Sequence, residues 1–219
     1  MTDATFTALT TARLALRRFR PEDLDAFAAY RSDPEVARYQ SWEVPYQLGQ
    51  ARQFLEELQV IHPDTPGEWF QFAVALRGTD WLIGDCAAHV DADDPRQAEI
   101  GFTLASEHQG HGYATEAVRR LLHYLLVERG KHRVSATCDA RNTRSAAVLE
   151  RVGMRREGHT LESTWSEGEW TSDLHYAVLA REWPAPAAER PSPSPQRPLD
   201  APPLPSDEPS STQRTAGRI

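Results

Sequence analysis

The chain has 219 residues and a formal charge of −8, with 32 acidic side chains against 24 basic ones. This balance argues against a nucleic-acid-binding protein, which needs a basic surface to neutralise phosphates. No run approaches the 18 apolar residues of a membrane span, and the first nine residues lack the pattern of a signal peptide. We therefore expect a cytoplasmic protein with no nucleic-acid or membrane partner. The two cysteines, Cys86 and Cys138, are too few for a disulfide framework or a four-ligand zinc site, and no metal site is predicted.

The composition changes sharply after Trp183. Residues 184–219 contain 10 of the 16 prolines and no aromatic side chain. Such a segment cannot bury enough apolar surface to offset the entropy lost on ordering. The sequence therefore predicts one folded domain at residues 1–183 and a disordered, Pro-rich tail at residues 184–219.

The first half of the domain predicts one strand, two helices and then three strands. A strand is expected from Ala12 to Phe19, where leucines alternate with basic or small residues. A helix is expected to start at Arg20–Asp23, with proline and acidic residues in its first turn, and a second helix is expected at 47–59. The segments 68–76, 81–90 and 97–104 have the composition of strands.

The second half predicts a long amphipathic helix at 113–129, a strand at 132–139, a short helix at 143–152 and strands near 155–164 and 171–180. Three successive strands favour antiparallel pairing, whereas the later strand–helix–strand unit favours a parallel pair. The predicted fold class is therefore α+β with a mixed, mostly antiparallel sheet. The all-parallel sheet of a dinucleotide-binding fold is not expected.

The most informative motif is the glycine-rich run from Gln109 to Thr115, between the strand 97–104 and the helix 113–129. A glycine turn at a helix N-terminus directs several free N–H groups and the positive end of the helix dipole at one point, which suits a phosphate. A plain turn that caps a core helix is the alternative interpretation. A dinucleotide fingerprint fits poorly, because its third small residue is displaced. A P-loop is excluded because no Gly-Lys-Ser/Thr follows; Lys131 is the only lysine.

Two further motifs make the sequence resemble a known family. Q-G-H-G-Y-A-T-E-A is preceded by E-I-G-F-T-L and followed by A-R-N-T-R-S-A-A-V-L-E-R-V-G-M. These motifs resemble the GNAT superfamily of acetyl-CoA-dependent N-acetyltransferases. The N-terminal L-T-T-A-R-L-A-L-R-R-F-R-P-E-D and the closing H-Y-A-V-L-A-R-E-W are similar to its Rim-type branch, which acetylates ribosomal-protein N-termini. The resemblance extends over about residues 8–183.

The resemblance implies a central sheet of about seven strands flanked by helices and splayed between the fourth and fifth strands, 97–104 and 132–139. It implies acetyl-CoA as co-substrate. The strand segment Phe102, Thr103 and Leu104 would pair with the pantetheine amides, and Asn142 would hydrogen-bond the same arm. The pyrophosphate would lie against Gln109, Gly110, His111, Gly112, Tyr113, Ala114 and Thr115.

One position departs from the family pattern. Many relatives carry a tyrosine, the usual proton donor to the leaving thiolate, where this chain has Leu149. Ser145 is the substitute that the Rim-type branch suggests. Its alternative role is to cap the start of the helix after Asn142.

Glu99 is the candidate general base, because an amine must lose a proton to attack an acyl group. It lies in A-E-I-G-F, on the strand face opposite Ile100, near where the thioester would lie. A solvated strand glutamate is the alternative interpretation. His89 and His175 are interpreted as structural histidines.

The expected acceptor is a primary amine on a peptide N-terminus, reached by direct transfer in a ternary complex. Polyamines or aminoglycosides are alternative acceptors, and a non-catalytic acyl-CoA-binding regulatory domain is the alternative function. A negative rim is expected from Asp91, Asp93 and Asp94 on one connection and Glu162, Glu167 and Glu169 on the final hairpin. Trp165 and Trp170 are interpreted as part of that hairpin turn, with the acceptor cleft as their alternative location. The protein is expected to be a monomer or a homodimer.

Overall fold

The computed structural model describes residues 6–166 and 168–184. In this part of the chain, eight strands form one sheet with the spatial order β1-β2-β3-β4-β5-β6-β8-β7. The strands are β1 (Ala8–Thr10), β2 (Leu14–Arg17), β3 (Trp69–Leu76), β4 (Leu82–Val90), β5 (Gln97–Leu104), β6 (Arg133–Asp139), β7 (Arg155–Ser166) and β8 (Glu169–Leu179).

Five α-helices accompany the sheet within these residues. They are α1 (Leu24–Arg31), α2 (Pro34–Ala37), α3 (Leu48–Glu57), α4 (Tyr113–His123) and α5 (Thr143–Arg151). Short 3₁₀ turns cover Pro21–Asp23, Ser106–His108 and Ala180–Glu182, and a π-helical turn covers Tyr124–Glu128.

The sheet is mixed, as predicted. Every neighbouring pair of strands is antiparallel except β5 and β6, which are parallel. The predicted number of strands is one too low, because the three-residue strand β1 is too short to show an alternating pattern. The predicted fourth and fifth strands are therefore β5 and β6.

Two helical predictions differ from the structure. The helix predicted at 113–129 is α-helical only to His123 and continues as a π-helical turn, in which the N–H of Arg129 donates to the carbonyl of Tyr124 at 2.8 Å. Helix α2 was not predicted, because four residues cannot show helical periodicity. Its start is nevertheless capped by Asp33, whose side chain accepts the N–H of Glu35.

The helices cover the two faces of the sheet separately. Helices α4 and α5 bury apolar residues such as Val118, Leu121 and Leu149 against one face, here called the α4–α5 face. Helices α1, α2 and α3 bury residues such as Phe27 and Leu55 against the opposite face, the α1–α3 face. Any opening between two central strands is therefore flanked by different helices on its two sides.

Among the described residues, no helix has both the length and the apolar character needed to cross a membrane. The predicted disordered tail at 184–219 lies outside the described residues from Ala185 onward. The division into a domain at 1–183 and a tail therefore stays a prediction.

Candidate active site

Strands β5 and β6 begin side by side and then separate. Their pairing starts with Gln97 opposite Arg133 and ends with Glu99 opposite Ser135, although both strands continue beyond that point. The separated edges carry backbone N–H and C=O groups that form no ladder with each other. This opening, here called the wedge, confirms the predicted splay.

The glycine-rich loop lies at the wide end of the wedge, where β5 leads to α4. Gly112 precedes the first helical residue and has a φ of +79°, in the left-handed region that favours glycine. The N–H of Glu116 donates to the carbonyl of Gly112 at 3.1 Å. The N–H groups of residues 113–115, in the first turn of α4, have no partner inside the helix. The helix dipole adds positive potential at the same place. The loop can therefore hold an anion.

Arg13 braces this loop from β2's side of the sheet. Its Nε donates to Oε2 of Glu116 at 2.6 Å, its Nη1 donates to the carbonyl of His111 at 3.0 Å, and its guanidinium lies 4.5 Å from the ring centre of Tyr113. Burial tends to raise the pKa of Glu116, but hydrogen bonds from Thr11 and Arg13 outweigh it and hold that pKa below its ordinary value. The carboxylate thus stays charged and the loop stays anchored.

Gln109 links the two sides of the wide end. Its Nε2 donates to the carbonyl of Leu104, the last residue of β5, at 3.1 Å, and its Oε1 accepts from Nη1 of Arg144 on α5 at 3.1 Å. A second arginine of α5, Arg151, donates to the hydroxyl of Thr115 at 3.4 Å. Two cationic side chains of α5 therefore lie beside the predicted pyrophosphate loop.

Helix α5 begins at the β6 side of the wedge. Oδ1 of Asn142 accepts the N–H of Ser145 at 3.1 Å and caps the helix, so the cap is Asn142 and the alternative capping role of Ser145 is wrong. The amide group of Asn142 still has its two donors to offer. Leu149, the position that departs from the expected family pattern, is 1% exposed in the core.

Glu99 lies at the narrow end of the wedge and is half-buried. Its register partners are His89 on β4 and Ser135 on β6. Ile100, the next residue, is buried in the core under α4, so the alternation of the strand directs Glu99 to the α1–α3 face. Glu99 and the loop at 109–115 are thus reached from different faces of the sheet.

A groove of about 370 Å³ opens beside the wedge at the far end of β6. By the same alternation, Thr137 and Asp139 share the α1–α3 face with Ser135. The groove is lined by residues 38–41 after α2, by Thr137–Asp139 and Arg141, and by Thr164, Ser166, Glu169, Thr171 and Asp173 of the β7–β8 hairpin.

Arg141 controls the charge at one end of this groove. Its Nη2 lies 2.7 Å from Oδ2 of Asp139, and its Nη1 lies 2.6 Å from Oε1 of Glu169. The hydrogen bonds from Arg141 hold the pKa of Asp139 below its ordinary value. Burial, followed by the neighbouring carboxylates, raises the pKa of Cys138 to about 11, so this thiol is not a nucleophile at neutral pH.

The predicted acidic rim is wrong for the connection between β4 and β5. Asp91 accepts the N–H groups of Asp93 and Asp94, and Asp94 is paired with Arg96. The carbonyl of Arg96 accepts the N–H of His132, immediately before β6, whereas the groove lies at the other end of that strand. These aspartates therefore belong to the opposite edge of the sheet.

The hairpin contributes one of the predicted acids to the groove. Glu169 lines it, Glu162 is not among the described lining residues, and Glu167 lies outside the described residues. Trp165 and Trp170 face each other across the hairpin with ring centres 5.3 Å apart. Their chain neighbours line the groove, so both indoles lie on the other face, 60% and 57% exposed, and the cleft interpretation is wrong.

Sequence reasoning missed most of the groove. The predicted co-substrate residues meet around the wide end of the wedge, with Phe102–Leu104 on its β5 edge and Asn142 at its β6 side. The segment 38–41 carried no signal, because only the tertiary fold brings it to β6. Thr137 and Asp139 carried a weak one: they are the polar positions of an alternating strand.

Comparisons with known proteins agree with this geometry. Residues 13–155 match the family model described as acetyltransferase (GNAT) domain. The N-acetyltransferase YnaD of Bacillus subtilis, itself uncharacterised, is 33% identical over 175 residues, which cover 80% of this chain and 98% of YnaD. A GNAT-family acetyltransferase from Bacillus anthracis has a crystal structure with a TM-score of 0.71 and 30% identity, covering 80% of this chain and 99% of that one.

RimJ of Mycobacterium smegmatis, solved in complex with CoA-disulfide, has a TM-score of 0.69 and 26% identity, covering 78% of this chain and 84% of its own. The family model spans more than half of the sequence, and the mixed sheet with its wedge is the fold shared with these structures. The chain belongs to the GNAT family of acetyltransferases and is an N-acetyltransferase enzyme.

Proposed function

We propose that the protein transfers an acetyl group from acetyl-CoA directly to the α-amine of a peptide N-terminus, in a ternary complex. The observation that carries this proposal is the wedge, which has an anion-holding loop at its wide end and a separate polar groove on the α1–α3 face. Donor and acceptor can therefore enter from different sides and meet between β5 and β6. Such positioning alone lowers the barrier substantially, because it removes the entropy cost of bringing two reactants together.

The residues around the loop fit the acidic end of the co-substrate. Free N–H groups of the first turn of α4 would bind the pyrophosphate, with Arg144 and Arg151 as nearby cations. The free backbone edge of Phe102–Leu104 and the amide of Asn142 would hold the pantetheine arm. Acetyl-CoA supplies the activated acyl group when bound.

Proton transfer falls to side chains on the two faces of the wedge. Glu99, on the α1–α3 face, would accept the proton from the attacking amine. Ser145, in the first turn of α5, would supply a proton to the leaving sulfur. Leu149 offers no hydroxyl for this step, and its side chain is buried in the core.

The acceptor assignment rests on the groove and on the resemblance of the sequence to the Rim-type branch. The groove is lined by hydroxyls and by charges of both signs, which suits a peptide backbone with mixed side chains. An α-amine has a pKa of about 7.8 and is neutral in roughly one molecule in seven at pH 7, whereas a lysine side chain is neutral in roughly one in 2,500. The α-amine therefore asks less of the base.

A small cationic amine is the second candidate acceptor. Three carboxylates, those of Asp139, Glu169 and Asp173, line the groove and would attract a polyamine or an aminoglycoside.

A CoA-release assay tests the proposal. Purified protein is given acetyl-CoA with peptides bearing free N-termini, with the same peptides N-terminally blocked, and with polyamines and aminoglycosides. We expect turnover with free N-termini and none with blocked ones. Release only with small amines would favour the second candidate. Binding of acetyl-CoA without release for any amine would favour a non-catalytic acyl-CoA-binding domain.

A further inference from the structure

A chain of hydrogen bonds leads from the wall of the groove into the β7–β8 hairpin. Thr137, on the groove wall, pairs in register with His175 on β8, and its hydroxyl lies 3.3 Å from Nδ1 of that histidine. Nε2 of His175 lies 2.9 Å from the hydroxyl of Thr160. The Thr160 hydroxyl lies 3.0 Å from that of Ser163, which donates to Oδ2 of Asp173 at 2.8 Å.

The carboxylate at the end of this chain fixes the direction of every bond in it. A carboxylate only accepts, so Ser163 must use its one proton on Asp173. Thr160 must then donate to Ser163, and Nε2 of His175 must donate to Thr160. A neutral imidazole with its proton on Nε2 has a free lone pair on Nδ1. Nδ1 therefore accepts the hydroxyl proton of Thr137.

We propose that His175, acting through Thr137, is a second proton acceptor for the acetyl-transfer reaction. The arrangement is a hydroxyl facing the groove, a base behind it, and a second hydroxyl that orients the base and is joined through Ser163 to a carboxylate. Thr137 is the residue that would contact the acceptor, and His175 is a positioning residue that acts through it. This inference deepens the function proposed above and rests on it.

The proton balance is simple. At neutral pH the acceptor α-amine is mostly an ammonium ion and must lose two protons to become an amide nitrogen; Glu99 takes the first. The second N–H bond then breaks and an O–H bond forms on Thr137, while the original hydroxyl proton of Thr137 moves to Nδ1 of His175. By this route one proton has left the acceptor, and the imidazole has become an imidazolium. Asp173, at the far end of the chain, stabilises that positive charge. The proton returns through Thr137 to water when the groove empties.

Thr137 and Glu99 lie close to each other on the same face of the sheet. Glu99 is opposite Ser135, at the narrow end of the wedge, and is not among the described residues that line the groove. Thr137 is two residues further along β6, where the strands have separated and the groove begins. An acceptor that enters by the groove therefore meets Thr137 before it reaches Glu99.

Few other groups near His175 change charge around neutral pH. On β7, Arg133 and then Arg155 hold the pKa of Glu157 at about 2 through hydrogen bonds. On β6, Arg141 holds the pKa of Asp139 below its ordinary value. Asp173, on β8 itself, is a carboxylate that accepts two hydroxyl protons, from Ser163 and Thr164.

The pH dependence of kcat/KM for a peptide acceptor tests the inference. Below the pKa of the acceptor α-amine, the amine alone gives log(kcat/KM) a slope of one. A histidine that must also be neutral adds a second unit of slope at the acidic end of the profile. We expect a slope near two for the wild type and near one for His175→Gln, with kcat/KM at pH 7.5 lowered about 10²-fold.

Thr137→Val should behave as His175→Gln does, and Thr137→Ser, which keeps the hydroxyl, should recover most of the activity. His159→Gln is the matched control, since His159 is an exposed histidine opposite Leu174 on the other face of the hairpin. It should leave both rate and slope unchanged. A slope of one in the wild type, or a slope of two retained in His175→Gln, overturns the inference. Absence of CoA release from the wild type with every amine would instead overturn the proposed function.

Discussion

The two sides of the wedge are built in different ways. The anion-holding side consists mainly of one continuous segment, Gln109–Thr115, whose function depends on backbone N–H groups and two left-handed glycines, Gly110 and Gly112. The groove side is built from side chains of segments far apart in sequence: 38–41, the end of β6 and the β7–β8 hairpin. A site made of consecutive backbone can be recognised in a sequence, whereas one made of converging side chains cannot.

This difference predicts how each side responds to substitution. The backbone side should be most sensitive to volume added at its glycines. The groove side should respond to single polar side chains, and its effects should appear in acceptor kinetics while acetyl-CoA binding is unchanged.

Gly112→Val should have the largest effect on acetyl-CoA binding. A Cβ at this position lies 3.5 Å from Nη2 of Arg13, and the φ of +79° strains any β-branched residue. Loss of two charge-assisted hydrogen bonds to the pyrophosphate would cost about 4 kcal/mol, or about 10³-fold in affinity by calorimetric titration.

Gly130→Val is the matched control for backbone strain, because Gly130 also has a positive φ, +66°, and an added Cβ meets no atom within 4 Å. It should lower stability without weakening acetyl-CoA binding. Equal affinity of a folded Gly112→Val protein and the wild type would contradict the assignment of the loop.

Glu99→Gln should lower kcat about 10²-fold and leave acetyl-CoA affinity unchanged, since a general base acts on the acceptor. Steady-state kinetics with the best peptide from the CoA-release assay give the rate, and calorimetry gives the affinity. Glu107→Gln, at an exposed glutamate outside the wedge, is the control. A near-normal rate across pH 6–9 would show that the base lies elsewhere.

Arg141→Gln should change the groove and leave the anion-holding loop as it is. It frees Asp139 and Glu169 from their ion pair, so the groove becomes more negative. We expect kcat/KM for a cationic peptide to rise about threefold at low salt and to fall more steeply with added salt than in the wild type. Stability should change little, since Arg141 and Glu169 are largely exposed. An unchanged salt dependence would show that the charges of the groove do not contribute to acceptor recognition.

The sequence predicts the elements with a local pattern and fails for those that distant segments build together. The strand composition of β3, β4 and β5 and the amphipathic pattern of α4 predict the mixed sheet. The acidic rim was misplaced because charge counts do not say at which edge of a sheet a loop lies. His175 was interpreted as structural, since its proton-accepting geometry depends on Thr160 and Asp173, which only the pairing of β7 with β8 brings together.

Deletion of 184–219 should have the smallest effect. The segment has no aromatic residue and little apolar surface to bury, so we expect a change in Tm of less than about 2 °C and unchanged kinetics on both sides of the wedge. Thermal unfolding of the full chain and of residues 1–183 measures this. A fall of several degrees would show that the tail packs on the domain.

Hydrogen–deuterium exchange in the presence of acetyl-CoA tests the two-sided wedge most directly. The account predicts slowed exchange at the amides of 109–115 and at the β5 edge, Ile100–Leu104, because acetyl-CoA would pair with these groups. Amides of the groove, in 38–41 and 164–173, should exchange at the same rate with and without it, and should slow only when a peptide acceptor is added. Protection of the groove by acetyl-CoA alone, with none at 109–115, would contradict the account.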